Sequence, residues 1–249
     1  MPYTYFASDF HLGLDKPLSS KDREKIIVSW LEDILPSTRE LYLLGDLFDF
    51  WFEYKQVVPK GHVRLLATLA KFNDHGIPVH VFTGNHDMWM FGYLEEECGV
   101  IIHRAPITKE IEGKVFLLGH GDGLGPGDHG YKFIKKVFRN KLNQWLFARL
   151  HPNFALKLMQ FSSKTSRESD KEAPEFLGPD KEWLVQYCER KLKEQNYDYF
   201  IFGHRHIPID FTLSNGKSRY INTGDWLTHF SFARFAEGNL ELLNFDPKN

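Results

Sequence analysis

Short runs of apolar residues, rich in β-branched and aromatic side chains, recur along the chain and stop at Gly, Asn or Asp. Five of them predict buried strands, at residues 3–7, 41–44, 79–83, 115–118 and 199–202. Helical spacing is typical of residues 20–35, with Ser20 as a capping residue, and of residues 61–75, where Gly76-Ile77-Pro78 ends the pattern. Strands that alternate with helices predict an α/β core.

Two later segments depart from this alternation. Runs at 209–213, 219–222, 231–235 and 240–245 are separated by Asn-Gly, Gly-Asp and Gly-Asn pairs, which predicts antiparallel hairpins. Between Phe133 and Leu150 apolar residues recur every three or four positions, and a second helical stretch covers 153–164. We therefore expect a core formed by residues 1–121 and 181–249, with residues 122–180 inserted as a helical cap.

Composition places the chain among globular proteins. Of its 249 residues 42% are hydrophobic and 26% charged, which argues against a disordered or fibrous chain. Its two cysteines, Cys98 and Cys188, form neither a disulfide framework nor a CxxC metal site, so a reducing cytosol is expected. No apolar run approaches the ~18 residues of a spanning helix, and neither a membrane span nor secretion is expected.

Charge is balanced overall but not locally. The net charge of −2 gives no reason to expect nucleic acid as a partner. Residues 131–171, however, contain ten Lys or Arg against two acids, a local net charge of +8. The predicted cap is therefore strongly basic.

Polar residues that a core would not select follow each of the five predicted strands. They are Ser8-Asp9-Phe10-His11, Gly45-Asp46-Leu47-Phe48-Asp49, Gly84-Asn85-His86-Asp87, Gly119-His120-Gly121-Asp122 and Gly203-His204-Arg205-His206. The carboxyl ends of strands in an open α/β sheet gather at one edge, where such folds place their sites. On an extended segment, the i, i+2 spacing within Asp9–His11 and within His204–His206 predicts that both side chains point the same way.

The donor types indicate a metal centre. Three carboxyl or amide groups combine with four imidazoles: Asp9, Asp46, Asn85, His11, His120, His204 and His206. Seven ligands are too many for one ion with an open position, but they fit two ions about 3.5–4 Å apart that share a carboxylate. Oxygen and imidazole without thiolate favour Mn²⁺, Fe or Zn²⁺ over Mg²⁺ and Ca²⁺. A lone Gly-His pair is usually structural, whereas five such pieces in order are not a coincidence.

The pattern DxH, GDxxD, GNHD, GH, GHxH across residues 9–206 resembles the calcineurin-like metallophosphoesterases. The resemblance implies a four-layer α-β-β-α sandwich with two metals at the sheet edges. It also implies a division of the ligands: Asp9, His11 and His206 on one ion, Asn85, His120 and His204 on the other, and Asp46 bridging.

The same resemblance implies the reaction. Two cations bind phosphate oxygens and neutralise the charge that develops while water attacks in line at phosphorus. His86 is implied to contact the phosphate or protonate the leaving oxygen, and Asp49 to orient His86 through a ring N–H. Asp87 is better explained as a turn residue.

The basic segment bears on which phosphoester is cleaved. A protein phosphatase is disfavoured, because that branch carries GDxxDRG and here Asp49 is followed by Phe50 and Trp51. The apolar stripe of the cap either packs on the core beneath a solvated charged face, or forms an amphipathic cap. Such a cap could hold acyl chains and rest on an anionic membrane.

The capped arrangement resembles the UDP-2,3-diacylglucosamine diphosphatase family of lipid A synthesis. That family has HGD followed by an Asp eight residues and a Tyr eleven residues past the His, and here Asp128 and Tyr131 stand at those distances from His120. That family also has a later Ser-Lys…Asn…Lys stretch that contacts the substrate. Ser163-Lys164, Arg167 and Lys171 resemble it less closely, because Arg stands in the Asn position and the last spacing differs by one residue. The resemblance implies substrate contacts at Asn85, His86, Asp128, Tyr131, Ser163, Lys164, Arg167, Lys171 and His204.

The sequence departs from the best-known members at two places. His86 stands where they read Arg in GNRD, and GHRHIP stands where they read GHTHRP. The resemblance implies that water attacks the α-phosphorus of the lipid-linked UDP-sugar and releases UMP and 2,3-diacylglucosamine 1-phosphate. The implied setting is two divalent cations, with Mn²⁺ the first choice, in a cytoplasmic protein held peripherally on the inner membrane, with no nucleic acid partner.

Two other functions stay open at this point. One is a soluble phosphodiesterase or nucleotide pyrophosphatase whose cap serves only packing. The other is a non-catalytic scaffold, against which the intact ligand set argues. Trp226, which follows the last ligand pair, either lines the site or packs in an ordinary turn.

Overall fold

The computed structural model describes residues 2–126, 129–159 and 175–247. The strands in this part of the chain are β1 Tyr3–Ala7, β2 Thr38–Leu43, β3 Val79–Phe82, β4 Ile101–His103, β5 Ile107–Ile111, β6 Lys114–Leu118, β7 Tyr199–Phe202, β8 Pro208–Thr212, β9 Arg219–Thr223, β10 Ser231–Ala236 and β11 Asn239–Asn244. The helices are α1 Ser20–Ile34, α2 Val63–Asp74, α3 Tyr93–Cys98, α4 His129–Arg139, α5 Lys141–Phe147, α6 at 152–159 and α7 Trp183–Leu192. All five predicted strands and both early helices are confirmed to within three residues at each end.

The strands form two sheets. One has six strands in the order β11-β10-β1-β2-β3-β4, and the other has five in the order β5-β6-β7-β9-β8. Strands β1 to β4 are mutually parallel, as are β6, β7 and β9. The predicted hairpins are confirmed as β8–β9 and β10–β11, but they belong to different sheets.

Alternation of side chains along the strands places apolar residues on both faces of each sheet. In β1, Tyr5 and Ala7 face a core formed with α1, α2 and α3, whereas Phe6 faces the second sheet. On the far side of the second sheet, Phe200 packs against Cys188 of α7. The layers are therefore helix, sheet, sheet, helix, and the predicted α-β-β-α sandwich is confirmed.

The start of α1 corrects one prediction. The capping residue is Ser19, not Ser20, because the Ser19 side chain accepts the Asp22 backbone N–H at 3.1 Å. The Ser20 hydroxyl instead accepts the backbone N–H of Gly13 at 2.6 Å, which ties the helix to the loop after β1. The Ser19 hydroxyl also donates to the carboxylate of Asp22 at 2.7 Å, while its acceptance of the Asp22 N–H satisfies one backbone donor at the helix start.

The described part of the segment predicted as a cap contains three helices, α4, α5 and α6, whereas residues 122–126 and 175–180 are not helical. The Trp89 indole N–H donates to the carbonyl oxygen of Phe138 at 2.8 Å, and Arg139 donates to the carbonyl of Arg104 at 3.0 Å. These bonds hold α4 against the core. Among the described residues, no helix is both long enough and apolar enough to cross a membrane.

Candidate metal centre

The five polar loops predicted from the sequence meet at one edge of the sandwich. They follow β1, β2, β3, β6 and β7, whose carboxyl ends come together where the two sheets face each other. Four of the predicted ligands are buried: Asp9, His11, Asp46 and His120. The other three, Asn85, His204 and His206, are half-buried and line the open side of the cluster.

The backbone reaches this arrangement differently from the prediction. The ligand pairs are not on extended segments, because five ligands have left-handed backbones: Asp9 (φ 57°), His11 (φ 44°), Asp46 (φ 54°), His204 (φ 71°) and His206 (φ 56°). Such conformations are uncommon for non-glycine residues and persist only when the surroundings enforce them. Here the amides bond across loops, with Asp9 N donating to Gly45 O and His11 N to Asp46 O, both at 3.0 Å.

Two glycines allow the loops to approach closely. A Cβ at Gly84 would overlap the carboxylate of Asp46, and one at Gly203 would overlap Ser8 and Asp9. Both positions therefore require glycine for the carboxylates to keep their places.

The candidate ligand atoms form overlapping groups in which all atoms lie within 4.8 Å of one another. The groups are Asp9 with His11 and His206, Asp46 with His120 and His204, and His11 with Asp46 and His86. Oδ2 of Asp46 lies 3.6 Å from His11 Nε2 and 3.3 Å from His120 Nε2, so it stands between the first two groups. Oδ1 of Asn85 lies 3.1 Å from His120 Nε2.

Two buried oxygens in this cluster show that it fits cations. Asp9 Oδ1 and Asp46 Oδ2 have no hydrogen-bond partner among the described residues, although each carboxylate's other oxygen accepts a backbone N–H. A buried carboxylate oxygen without a donor is costly. Both oxygens face imidazole nitrogens, and a divalent cation between them would satisfy oxygen and nitrogen together.

The electrostatics agree with this. Burial opposes ionisation of Asp46, but the charges of His120 and His86 outweigh it and hold the pKa of its carboxyl well below its usual range. Burial likewise opposes protonation of His120, but Asp46 raises its pKa to about 10. Burial and the charge of His120 lower the pKa of His204 to about 4. Asp46 is therefore ionised at neutral pH, the state in which a carboxylate binds a cation.

The predicted catalytic pair is present with an altered geometry. His86 Nδ1 lies 3.1 Å from the backbone carbonyl oxygen of Asp49 and 3.8 Å from its carboxylate. That carboxylate lies closer to His11 Nδ1, at 3.5 Å. The main-chain carbonyl of Asp49 is therefore the nearer partner of His86, and its carboxylate faces both histidines.

Asp87 behaves as a turn residue, as expected. Its carboxylate accepts the backbone N–H groups of Gly84 and Leu47, each at 2.7 Å, and so joins the loops after β3 and β2. Burial and the charge of Asp46 raise its pKa to about 7.

The remaining predicted site residues are not among the grouped ligand atoms, and several lie outside the described residues. The hydroxyl of Tyr131 on α4 donates to the carboxylate of Asp122. Trp226 is fully buried against Trp30 and does not line the site. Asp225, which is not among the predicted residues, faces His206 at 3.5 Å. Outside the described residues lie Asp128, Ser163, Lys164, Arg167 and Lys171.

Comparison with known proteins identifies the family. Residues 3–208 match the model of the calcineurin-like phosphoesterases. The chain belongs to this family. Family membership and the Asp and His clusters make it a metal-dependent hydrolase that binds divalent cations. The sequence-based assignment to this family is thereby confirmed.

Several relatives of this calcineurin-like phosphoesterase are similar over nearly their whole length. A protein of Porphyromonas gingivalis named UDP-2,3-diacylglucosamine hydrolase is 36% identical over 242 residues, which cover 92% of each chain. Proteins of the same name from Aeromonas salmonicida and Proteus mirabilis are each 28% identical. The alignment with the Aeromonas protein covers 96% of this chain and 92% of the relative. The alignment with the Proteus protein covers 97% of this chain and 98% of the relative.

Proposed function

We propose that the chain hydrolyses UDP-2,3-diacylglucosamine at the α-phosphorus, giving UMP and 2,3-diacylglucosamine 1-phosphate. The observation that carries the proposal is the extent of the similarity to relatives named for this substrate. At 36% identity the alignment covers 92% of the chain, too much to be confined to the metal-binding loops and their strands. A shared phosphoesterase core alone would not require such coverage.

The proposed ligands follow the grouping of side chains at the site. Asp9, His11 and His206 would hold one cation, Asn85, His120 and His204 the other, and Asp46 would bridge them. The distances of 3.3 to 3.6 Å between these oxygen and nitrogen atoms support this division. We take Mn²⁺ as the first choice because the set combines carboxylate, amide and imidazole without thiolate. When bound, the cations would neutralise phosphate charge and acidify the attacking water.

His86 is suited to hold the phosphate or the leaving oxygen. The carbonyl oxygen of Asp49 can only accept, so Nδ1 of His86 is the protonated nitrogen, and we assign Nε2 to the contact with substrate. Burial, together with the charge of His11, lowers the pKa of His86 in the free protein. A phosphate beside the ring would favour the doubly protonated form, in which Nε2 donates to an oxygen of the substrate.

The helical segment supplies a basis for lipid recognition. Phe50, Phe52 and Trp89 of the core form an apolar cluster with Phe138 and Phe147 of the cap. Other large apolar side chains of the cap are exposed, as in Phe133, Trp145 and Phe154, and they stand among basic residues. We propose that residues 122–180 form a cap that holds acyl chains, and that its basic surface rests on the cytoplasmic face of the inner membrane.

A product assay tests this proposal. Purified protein with Mn²⁺ is given UDP-2,3-diacylglucosamine and, in parallel, UDP-GlcNAc, which lacks the acyl chains. Release of UMP from the lipid alone is expected. Activity on bis-p-nitrophenyl phosphate without turnover of the lipid would contradict the proposed substrate and favour a phosphodiesterase or nucleotide pyrophosphatase.

A further inference from the structure

The imidazole of His206 has two different surroundings. Its Nε2 lies 3.3 Å from Asp9 Oδ1 and 3.2 Å from His11 Nε2, within the first ligand group. Its Nδ1, on the other side of the ring, lies 3.5 Å from Oδ2 of Asp225. The ring therefore stands between the proposed cation site and a carboxylate that is not itself in a ligand group.

The carboxylate of Asp225 is buried and held in one orientation. Its Oδ1 accepts the backbone N–H groups of Thr228 and His229, each at 3.0 Å. The hydroxyl of Thr228 lies 3.1 Å from Oδ1 and 3.3 Å from Oδ2, and His229 Nδ1 lies 3.1 Å from Oδ1. These contacts concentrate on Oδ1, so Oδ2 is the oxygen turned toward His206.

The next residue fixes this carboxylate relative to the ligands. The backbone N–H of Trp226 donates to the carbonyl oxygen of Asp9 at 3.1 Å. The indole of Trp226 is fully buried, and its ring centroid lies 4.7 Å from that of Trp30 and 5.5 Å from that of Phe10. The backbone next to Asp225 is therefore bonded directly to the backbone of Asp9, one of the proposed ligands.

We propose that Asp225 is a positioning residue that holds His206 with Nε2 directed at the cation. The inference rests on the ligand assignment in the proposed function. Histidines that bind metals usually donate their second ring N–H to a carboxylate or carbonyl, which sets the tautomer and raises ligand basicity. Two other ligand histidines have a comparable neighbour, since His120 Nδ1 lies 2.8 Å from the carbonyl oxygen of Leu44 and His11 Nδ1 lies 3.5 Å from the carboxylate of Asp49.

The substitution Asp225→Asn separates this role from the structural one. The amide oxygen can still accept the turn N–H groups of Thr228 and His229, whereas the amide NH₂ cannot accept a proton from His206. We expect one of the two cation sites to bind Mn²⁺ about 10–100-fold more weakly. Calorimetric titration of the metal-free protein with Mn²⁺ measures this, and thermal unfolding verifies that the variant is folded.

The matched control is Thr228→Val, which removes the hydroxyl contact to Asp225 and leaves its carboxylate in place. We expect unchanged Mn²⁺ affinity in this variant. Equal affinity of Asp225→Asn and the unaltered protein at both sites would overturn the proposal. An equal loss in both variants would also overturn it, because the effect would then come from the turn.

A spectroscopic measurement keeps the proposal testable if Asp225→Asn fails to fold. In the unaltered protein loaded with Zn²⁺, ¹⁵N NMR of the imidazoles should show His206 protonated at Nδ1 and bound to metal through Nε2. Metal bound through Nδ1 would overturn the proposal. Both readouts are independent of the lipid substrate, so a protein that binds two cations yet does not cleave UDP-2,3-diacylglucosamine would refute only the proposed function.

Discussion

Asp46 is the residue on which both proposed cation sites depend, and Asp46→Asn is the variant that tests this most severely. Its Oδ1 accepts the backbone N–H of His86 at 2.9 Å, a bond that the amide oxygen of Asn can keep. Its Oδ2, however, stands between His11 and His120 at 3.6 and 3.3 Å. The substitution therefore removes a shared negative charge with little change in shape.

The size of the effect follows from this shared position. Loss of a single supporting partner of a metal ligand costs about 10–100-fold in affinity or activity. Because both cations lose an anionic ligand in Asp46→Asn, we expect kcat to fall by at least ~10³-fold. That corresponds to about 4 kcal/mol of transition-state stabilisation.

The assay is the kcat for bis-p-nitrophenyl phosphate at saturating Mn²⁺, with the bound metal measured by elemental analysis. Asp198→Asn is a matched control, because this carboxylate accepts the backbone N–H of Val115 at 2.9 Å at the opposite end of the strands. The control should keep its rate and both cations. A rate for Asp46→Asn within tenfold of the unaltered protein at saturating Mn²⁺ would refute the bridging assignment.

Four other perturbations have defined outcomes. His86→Ala should lower kcat and keep both cations, whereas loss of a cation in elemental analysis would make His86 a ligand. Phe133→Ser combined with Trp145→Ser should raise KM for the diacylated substrate and leave hydrolysis of bis-p-nitrophenyl phosphate unchanged, and equal effects on both would indicate packing. Cations at 100 times their Kd should stabilise the metal-free protein by about 2.7 kcal/mol per site, visible as a higher Tm, and an unchanged Tm would argue against a native cation site. Burial and the neighbouring His103 lower the pKa of His80 to about 4, below the ~6.5 of an unfolded chain, so the free energy of unfolding should fall as pH drops from about 6.5 to 4. His80→Phe should reduce that slope in denaturant titrations, and an unchanged slope would contradict the assignment.

The buried strands were the most predictable part of the fold. Tyr199–Phe202 is a continuous apolar run between Asp198 and Gly203, and Tyr3–Ala7 is an apolar and aromatic run that stops at Ser8, so their limits coincide with the observed strands. By contrast, β4 has only three residues, and β5 has Ile at its two ends with Thr, Lys and Glu between them, so neither forms a long apolar run. Assignment of the two C-terminal hairpins to separate sheets depends on tertiary pairing that turn residues do not encode.

The candidate site shows a similar division. The convergence of all seven ligand candidates follows from polar residues at the ends of parallel strands, and this was accessible from the sequence. The left-handed backbones at Asp9 and His11 were not, because the amides of these residues bond to a loop that is distant in the chain. The sequence also does not show that the carboxylate of Asp49 lies near His11 or that the carboxylate of Asp225 lies near His206, because each pair joins residues of different loops. The only signal for Asp225 was its place beside Trp226 in Asn-Thr-Gly-Asp-Trp.

Hydrolysis in ¹⁸O-labelled water tests the central claim most directly. The protein is incubated with Mn²⁺ and UDP-2,3-diacylglucosamine, and the ¹⁸O content of both products is measured by mass spectrometry. Attack at the α-phosphorus predicts UMP carrying one ¹⁸O atom and unlabelled 2,3-diacylglucosamine 1-phosphate. Label in the lipid phosphate, or release of UDP in place of UMP, would contradict the proposed reaction, and an absence of turnover would contradict the proposed substrate.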